Sequence, residues 1–216
     1  MSQIQRILLT GFGAFPGVPE NVSGAVVTEL ARAARELQGV AVRHEVLPVD
    51  WRVAPRQVAE LIAAERPHVA LHFGVSSRAQ SIVVETLAKN HCASSADVCG
   101  ALPAAEWLDK AGAASLRSTF PAGAILRRLE ERGLPAELSE DAGAYLCNAV
   151  LYASLSACAG SGARSGFIHL PVDLSGSNGG LTLEAAVSGG LEILHACLET
   201  DPLAAPGCSR PDHTFS

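Results

Sequence analysis

The 216-residue sequence predicts an α/β protein, a three-layer α/β/α sandwich with a central, mostly parallel, twisted sheet. The prediction is based on two alternating patterns. Short apolar runs that end at glycine or proline alternate with longer stretches in which apolar residues recur at helical spacing. Hydrophobic residues make up 48% of the chain, which allows one sizeable buried core.

Apolar runs indicate the strands. RILLT stops at Gly11 and HVALHFG closes at Gly74, as buried strands do, and Pro48 ends the run VAVRHEVLPV. SIVVETLA is β-rich but alternates only in part, and AELS is a short candidate. The predicted strands cover residues 6–10, 40–49, 68–74, 81–88, 136–139 and 166–172.

Apolar periodicity and end signals indicate the helices. Val27 and Leu30 share one helical face, and Pro121 and Gly133 flank a segment as proline and glycine commonly flank a helix. The pattern weakens over residues 90–116, which we expect to form a loop with short turns. The predicted helices cover residues 24–37, 53–65 and 121–133, a segment that carries Cys147 and ends near Ala157, and about 180–198.

We expect one domain over residues 1–199 and a C-terminal tail over residues 200–216. No repeat, and no linker long enough to separate two domains, interrupts the alternation of strands and helices. The tail sequence DPLAAPGCSRPDHTFS has few apolar residues that could pack against a core. We therefore expect the tail to be mobile.

Charge and hydropathy argue against two classes of partner. The net charge is −6 and the pI is about 5.6, whereas phosphate binding needs clustered lysine and arginine, so we expect no nucleic acid. No stretch approaches the ~18 apolar residues that span a membrane. The N-terminal run ILLT is also too short for a signal peptide. We therefore expect a cytoplasmic protein whose six cysteines are free thiols.

The stretch LSEDAGAYLCNAVLY places a cysteine at the start of an apolar, helix-like run. Gly143 interrupts any helix begun at Ser139, so Cys147 is expected in the first turn of the helix. A thiol there lies at the positive end of the helix dipole and ionises more readily, above all beside a histidine. Position alone also allows a small packing residue, because free cysteine is among the most buried residue types.

A histidine and a glutamate could complete a catalytic set with this cysteine. His169 lies near the C-terminal end of the run GFIHLPV, and sites in open α/β sheets form outside the carboxyl ends of strands. Glu85 lies in an otherwise apolar segment, where a carboxylate needs a partner such as an imidazole. Taken singly, His169 could equally be a core histidine, and Glu85 could lie on the exposed face of an edge strand.

The glycine-rich turn TGFGAFPGVPEN follows the first predicted strand. Its glycines do not follow G-x-G-x-x-G, and Pro19 opposes an early helix, so we reject a dinucleotide site. Phe12 and Phe15 instead suggest walls for a small, flat, uncharged ligand, although both could simply pack beneath the loop. His91 and Cys92 have no zinc-binding spacing, so we expect no metal.

Four segments together resemble the pyroglutamyl peptidase I family of cysteine peptidases, also called pyrrolidone-carboxylate peptidases. TGFGAFPGVPENVS resembles the N-terminal loop of that family, and GVSSRAQSIVVETLAKN the segment with its catalytic glutamate. The run from STFPAG to LCNAVLY resembles the segment with the nucleophile, and GFIHLPV the segment with the base. The strings AG-x-Y-L-C-N and GFIH-x-P are specific, and glutamate, cysteine and histidine follow in the family's order.

The resemblance implies an α/β/α enzyme that removes N-terminal pyroglutamyl (5-oxoproline) residues from peptides, without a metal or a cofactor. It implies that Cys147 is the nucleophile, which forms a thioester, that His169 is the general base and acid, and that Glu85 orients His169. It also implies a homo-oligomer, since many bacterial members are tetramers.

The resemblance further implies four substrate-binding residues. Phe12 and Phe15 match the aromatic positions that hold the pyroglutamyl ring, Asn21 matches an asparagine that helps to position the substrate, and Arg78 matches an arginine near the oxyanion region. An N-terminal pyroglutamyl residue carries a lactam in place of a charged amine. An apolar slot would therefore accept it and reject charged glutamyl or glutaminyl termini.

The sequence departs from the family pattern in several places, among them Val83, Thr86 and Asp141. Ser76 and Ser77 stand where the family has paired glycines, and NHCASSADVCG replaces the family's string after Asn90. These departures leave two alternatives open: a catalytically impaired homologue that still binds pyroglutamyl groups, or a same-fold hydrolase that acts on another small lactam.

Overall fold

The computed structural model describes residues 4–15, 18 and 20–199. The strands are β1 (Gln5–Phe12), β2 (Val40–Leu47), β3 (Val69–Ser76), β4 (Ile82–Glu85), β5 (Leu87–Lys89), β6 (Ser115–Arg117), β7 (Ala136–Ser139) and β8 (Arg164–Pro171). The α-helices are α1 (Val22–Ala34), α2 (Ala54–Glu65), α3 (Ala122–Glu131), α4 (Leu146–Cys158) and α5 (Leu183–Glu199), and one 3₁₀ turn spans Ser177–Gly179.

The central sheet has six strands in the order β2-β1-β3-β8-β4-β7. Neighbouring strands are parallel except for β4 and β8, which pair antiparallel, so β4 and β7 run opposite to the other four strands. Strands β5 and β6 form a separate antiparallel pair. The mostly parallel sheet explains why β1, β3 and β8 read as near-continuous apolar runs, because such strands are buried on both faces.

Two apolar cores lie on opposite faces of the sheet. One face is covered by α1, α3 and α5, and Ile7 and Leu9 of β1 point into this core. The other face is covered by α2 and α4, and Leu8 of β1 points into it together with Phe167 of β8. This alternation along β1 is the two-residue period of a strand. The predicted three-layer α/β/α fold is confirmed.

The segment predicted as one β-rich run over residues 81–88 is divided in two. Thr86 interrupts it, because both its backbone N–H and its hydroxyl donate hydrogen bonds to the Ser139 carbonyl, at 2.7 and 2.8 Å. The chain therefore leaves the central sheet after β4 and continues as β5 in the small second sheet. The prediction of one continuous segment was wrong here.

Two further predictions concern the domain and its cysteines. A single domain over residues 1–199 stays a prediction, and the tail over residues 200–216 lies outside the described residues. Five cysteines in the described part of the chain are free thiols; Cys99 is exposed, Cys147 is half-buried, and the other three are buried. No helix among the described residues is long and apolar enough to cross a membrane.

His72 on β3 is buried between the sheet and α4. Its Nδ1 atom lies 2.7 Å from the hydroxyl of Thr10, and its Nε2 atom lies 2.7 Å from the hydroxyl of Ser154, which in turn contacts Ser165 at 2.8 Å. Burial lowers the pKa of His72 to about 3. The folded protein therefore keeps this imidazole neutral well below the pH at which a free histidine takes up a proton.

We predict that His72 makes folding stability fall in mild acid. The unfolded chain binds a proton at this residue below pH ~6.5, whereas the folded chain does so only near pH 3. The free energy of unfolding should therefore decrease by up to ~1.4 kcal/mol per pH unit between these values. His72→Gln should show a shallower pH dependence in urea unfolding from pH 7 to pH 4. His91→Gln alters an exposed histidine and should keep the wild-type dependence; an unchanged slope in His72→Gln would contradict the prediction.

Candidate active site

The start of α4 presents Cys147 to solvent. Gly143 has a φ of +77°, in the left-handed region, so the chain changes direction there before α4 begins. Tyr145 has an extended backbone and is the N-cap residue of α4. Cys147 is the second residue of the helix, as predicted, and is half-buried, whereas Leu146 beside it is buried in the core. The thiol is therefore at the edge of a core rather than enclosed in it.

Asn148 fixes the start of this helix to β5. Its Nδ2 donates to the carbonyls of Lys89 and His91 at 2.8 and 3.0 Å, and its Oδ1 accepts from the Lys89 N–H at 2.8 Å. The Asn148 side chain is 1% exposed, so these bonds are shielded from water. The neighbouring Cys147 is thereby held at one place above the sheet.

Gly74 of β3 leaves the space that the thiol occupies. A Cβ atom added at Gly74 would lie 2.9 Å from Cys147 Sγ and 2.8 Å from the Phe167 ring, closer than real Cβ atoms approach such groups. Gly74 is also the residue that pairs with His169 across β3 and β8. The absence of a side chain at Gly74 therefore lets α4 place Cys147 directly beside His169.

The antiparallel register of β4 and β8 brings Glu85 to His169. Val83 pairs with His169 and Glu85 pairs with Phe167, so Glu85 and His169 are diagonal neighbours on the same face of the sheet. The Glu85 Oε1 atom lies 2.7 Å from His169 Nδ1. Glu85 is 2% exposed and His169 is 7% exposed, so Glu85 does not lie on the exposed face of an edge strand.

Electrostatics favour a charged His169. Burial by itself lowers the pKa of this imidazole, but the charge of Cys147, a hydrogen bond with Cys147 and the hydrogen bond and charge of Glu85 together raise it to about 10. The Oε2 atom of Glu85 has no hydrogen-bond partner within the described part of the chain. The three side chains thus form a connected series of thiol, imidazole and carboxylate.

These three residues line one open cleft of about 450 Å³. Arg78, predicted to lie near the oxyanion region, lines the same cleft from the turn that follows β3. The opposite wall comes from β7 and from the turn that leads into α4. The remaining lining residues are Val75, Ser76, Ala79, Val83, Glu137, Leu138, Ser139, Asp141, Ala142, Gly143 and Tyr145.

The other three predicted binding residues, Phe12, Phe15 and Asn21, are not among the residues that line this cleft. Phe12 is 4% exposed in the core under α2 and α4, and Phe15 and Cys147 pack against that same core. Asn21 is the N-cap of α1: its Oδ1 accepts from the Ser23 N–H at 3.2 Å, and its Nδ2 donates to the Gly13 carbonyl at 3.0 Å. Asn21 thus fixes the turn that carries the two phenylalanines.

Two aromatic residues at the site were missed by sequence reasoning. Tyr145 lines the cleft two positions before Cys147, and the Trp51 ring meets the Tyr145 ring edge-on, with the centroids 5.1 Å apart. The available signal was the position of Tyr145 immediately before the nucleophile helix. Trp51 gave no comparable signal, because only the fold brings it to Tyr145.

Within residues 4–15, 18 and 20–199, no three His, Cys, Asp or Glu side chains come together in a way that could hold a metal ion. The cleft itself offers the thiol of Cys147, the imidazole of His169 and the carboxylate of Glu85.

A cysteine at a helix start, a histidine that contacts it and a buried carboxylate on that histidine are the kinds of side chain from which a nucleophile–base–acid set is built. On a three-layer α/β/α fold, this combination of side chains is typical of hydrolases that use a cysteine nucleophile. Residues 5–176 match the family model described as Pyroglutamyl peptidase. The chain belongs to the pyroglutamyl peptidase family, and the resemblance inferred from the sequence is confirmed.

Relatives with this activity in their names are similar over most of the chain. The pyrrolidone-carboxylate peptidase of Oceanobacillus iheyensis is 34% identical over 170 residues, which cover 78% of this chain and 84% of the relative. That of Vibrio vulnificus strain CMCP6 is 32% identical over 203 residues, which cover 92% and 95%.

Solved structures agree with the fold. A mutant pyrrolidone carboxyl peptidase from the hyperthermophile Pyrococcus furiosus has a TM-score of 0.81 at 28% identity, covering 90% of this chain and 99% of that one. Pyroglutamyl peptidase I from Bacillus amyloliquefaciens has a TM-score of 0.78 at 26% identity, covering 90% and 95%.

We predict that Gly74→Ala lowers both activity and stability. The added methyl group must displace Cys147 Sγ or the Phe167 ring, and a nucleophile displaced by a fraction of an ångström should reduce kcat/KM by about 10- to 100-fold. Overpacking should also lower the free energy of unfolding by about 1–3 kcal/mol. Steady-state kinetics and urea unfolding measure the two effects.

Gly123→Ala is the matched control for this substitution. Gly123 lies in α3, and a Cβ atom added there would meet nothing within 4 Å. This variant should therefore keep full activity and gain a little helix stability. Wild-type kinetics in Gly74→Ala would show that the space at Gly74 is not needed by the thiol.

Proposed function

We propose that this member of the pyroglutamyl peptidase family is a cysteine peptidase that removes N-terminal pyroglutamyl residues from peptides. The observation that carries this proposal is the buried contact of His169 with Glu85 at 2.7 Å, on a histidine whose charged form Cys147 also favours. A thiolate beside an imidazolium is a strong nucleophile next to a ready proton donor.

In the first half of the reaction the peptide bond is exchanged for a thioester. The Cys147 thiolate attacks the pyroglutamyl carbonyl carbon, and the resulting tetrahedral intermediate carries the negative charge on oxygen. His169 then gives its proton to the departing peptide nitrogen, the C–N bond breaks, and the peptide leaves with a free N-terminus. Glu85 keeps the imidazole ring in the orientation that this transfer needs.

In the second half, water releases the acyl group. Neutral His169 takes a proton from water as the water oxygen attacks the thioester carbon. The C–S bond then breaks, pyroglutamate leaves, and the thiolate–imidazolium pair is restored. No metal and no cofactor is needed to balance these steps.

The oxyanion is stabilised at the start of α4. The first backbone N–H groups of a helix have no intrahelical acceptor, and the helix dipole favours negative charge there. The N–H groups of Leu146 and Cys147 are such donors, and the Arg78 guanidinium on the same cleft adds positive charge.

The acyl pocket lies on the side of the cleft next to the core beneath α2 and α4. Phe12, Phe15 and Tyr145 supply apolar walls for the lactam ring, and Asn21 supports the turn that carries the two phenylalanines. A charged terminal amine would lose its hydration in such a pocket without gaining a partner. This cost favours pyroglutamyl over glutamyl, glutaminyl and prolyl termini.

The proposal also covers the cellular location of the protein, its partners and its oligomeric state. The free thiols of the described residues suit a reducing, cytoplasmic environment. Peptides that begin with pyroglutamate are the partners, whereas the acidic charge balance disfavours nucleic acid. A homo-oligomer, and specifically a tetramer, is proposed from the family resemblance.

We predict that Cys147→Ser and His169→Ala lose turnover of a fluorogenic pyroglutamyl amide by about 10³-fold or more, because each removes a group that takes part in bond making. Both variants should fold, because the two side chains line an open cleft, but His169→Ala leaves the buried Glu85 carboxylate without its partner and should lower the free energy of unfolding. Cys99→Ser, which changes an exposed cysteine, is the control and should keep wild-type rates.

The same assay tests the alternatives. Activity within ten-fold of wild type in Cys147→Ser or His169→Ala would exclude the assigned roles. A wild-type protein that binds pyroglutamate but never releases the amine would be an impaired homologue. Comparable or faster turnover of other lactam amides would identify a hydrolase with a different substrate.

Glu85→Gln should move the alkaline limit of activity to lower pH. Glu85 raises the pKa of His169, so its loss lowers that pKa, and the imidazolium is then lost at a lower pH than the wild-type value of about 10. The alkaline limb of the kcat/KM profile should shift down by about one pH unit or more, with a smaller loss of rate than in the nucleophile variant. Glu137→Gln removes a carboxylate of the same cleft and should leave the limb in place; coincident limbs in all three proteins would argue against the role of Glu85.

A further inference from the structure

The loop over residues 93–101 packs against the start of α4. Its first residue, Ala93, donates its N–H to the Ala144 carbonyl at 2.7 Å, one position before Tyr145. Further along, Val98 donates its N–H to the Val49 carbonyl at 3.2 Å, in the segment that follows β2. The loop thus joins the approach to Cys147 with the segment that carries Trp51.

Asp97 is the centre of this loop. Its Oδ1 atom accepts hydrogen bonds from the backbone N–H groups of Cys99 and Ala101, both at 2.9 Å. Its Oδ2 atom accepts a hydrogen bond from the backbone N–H of Trp51 at 3.1 Å. Asp97 is 6% exposed. Burial raises its pKa, but the three N–H donors and the charge of Arg52 outweigh burial and leave the pKa below its ordinary value. Asp97 therefore remains an anion that fastens the loop to Trp51.

Trp51 and the loop together hold Tyr145. The Trp51 indole N–H donates to the Ser95 carbonyl at 2.8 Å, and its ring packs edge-on against the Tyr145 ring at an interplanar angle of 87°. The Tyr145 hydroxyl donates to the Ala96 carbonyl at 3.0 Å. Burial, then the charges of Asp97 and Cys147, raise the pKa of Tyr145.

We propose that Asp97 and Trp51 are positioning residues that hold the Tyr145 ring as a rigid wall of the acyl pocket, and so set its selectivity for a five-membered lactam. The inference rests on the proposed function. Neither residue lines the cleft with Cys147, so each acts through Tyr145, which does. A ring fixed by an edge-on contact and a hydroxyl hydrogen bond cannot move aside for a larger acyl group without breaking one of them.

Asp97→Asn is the sharpest test of this arrangement. The asparagine amide keeps one oxygen that can accept hydrogen bonds from the loop, such as that from the Cys99 backbone N–H. It presents an NH₂ group, which is a donor, to the backbone N–H of Trp51, so only the hydrogen bond to Trp51 is lost. A wall contact made equally in the ground state and the transition state affects KM and not kcat. We therefore expect KM for a fluorogenic pyroglutamyl amide to rise about 5- to 20-fold with kcat within about three-fold of wild type.

Selectivity supplies a second measurement. The homologous amide with a six-membered lactam should be a poor substrate of the wild type. Its kcat/KM relative to that of the pyroglutamyl amide should rise about three- to ten-fold in Asp97→Asn, because the loosened wall admits one more methylene group. Loss of stability alone would lower the amount of active enzyme for both substrates equally and leave this ratio unchanged.

Three further variants complete the design. Trp51→Phe removes the indole donor to Ser95, and Tyr145→Phe removes the hydroxyl donor to Ala96, while both keep an aromatic ring. Combined with Asp97→Asn, each should raise KM by less than the product of the separate effects, since all three act through one ring. Asp109→Asn is the matched control: its Oδ1 caps the Ala111 N–H elsewhere in the segment between β5 and β6, and KM should not change.

The fluorescence of Trp51 reports directly on the Tyr145 wall, because the two rings are in contact. The chain has two tryptophans, and Trp107 is 53% exposed, so Trp107→Phe leaves Trp51 as the single emitter. Titration with pyroglutamate should change the Trp51 emission in a saturable way. When Asp97→Asn is added to Trp107→Phe, about ten-fold more pyroglutamate should be needed to reach half of that change.

The outcomes separate this inference from the function on which it rests. Raised KM, relaxed ring-size selectivity and weaker pyroglutamate binding in Asp97→Asn, with Asp109→Asn unchanged, would support it. An active wild type with KM and selectivity unchanged in folded Asp97→Asn and Trp51→Phe would overturn the inference alone. A wild type with no turnover of the pyroglutamyl amide would overturn both.

Discussion

The antiparallel pairing of β4 with β8 is the constraint on which the site depends. In an otherwise parallel sheet, it places Glu85 diagonally across from His169 and turns both side chains toward the layer of α2 and α4. The pairing also buries their contact, where a charged hydrogen bond is stronger than in water. A thiol that is to reach His169 has to come from that same layer, and α4 supplies Cys147 over the space left by Gly74.

The three elements of the site are held by different kinds of interaction. The sheet register determines how Glu85 and His169 meet, close packing at Gly74 brings the thiol to them, and Asn148 ties the first turn of α4 to β5. Each of these depends on backbone geometry or on a buried polar network rather than on a flexible surface side chain. A site built this way needs little rearrangement when charge develops during the reaction.

The sequence was sufficient for features that depend on local pattern and insufficient for those that depend on strand order. Runs such as RILLT and HVALHFG are mostly apolar because most of β1 and β3 is buried on both faces. The reversed direction of β4 left no local signal, and neither did the break at Thr86, which a carbonyl on β7 produces. Cys147 was conspicuous at a helix start, whereas Trp51 and Asp97 meet only because the fold closes a separation of 46 residues.

The cysteines of the described chain differ widely in how easily a reagent can reach their thiols. Cys92, Cys158 and Cys197 are at most 5% exposed, and burial raises the pKa of each, so they are poorly ionised and shielded. Within the described chain, an alkylating electrophile can therefore reach Cys147 and Cys99 long before the others. A Cys99→Ser protein would leave the cleft sulfur as the first point of attack there. With Cys208, which lies outside the described residues, replaced as well, covalent inhibitors and reporter groups could be directed to the cleft without unfolding the protein.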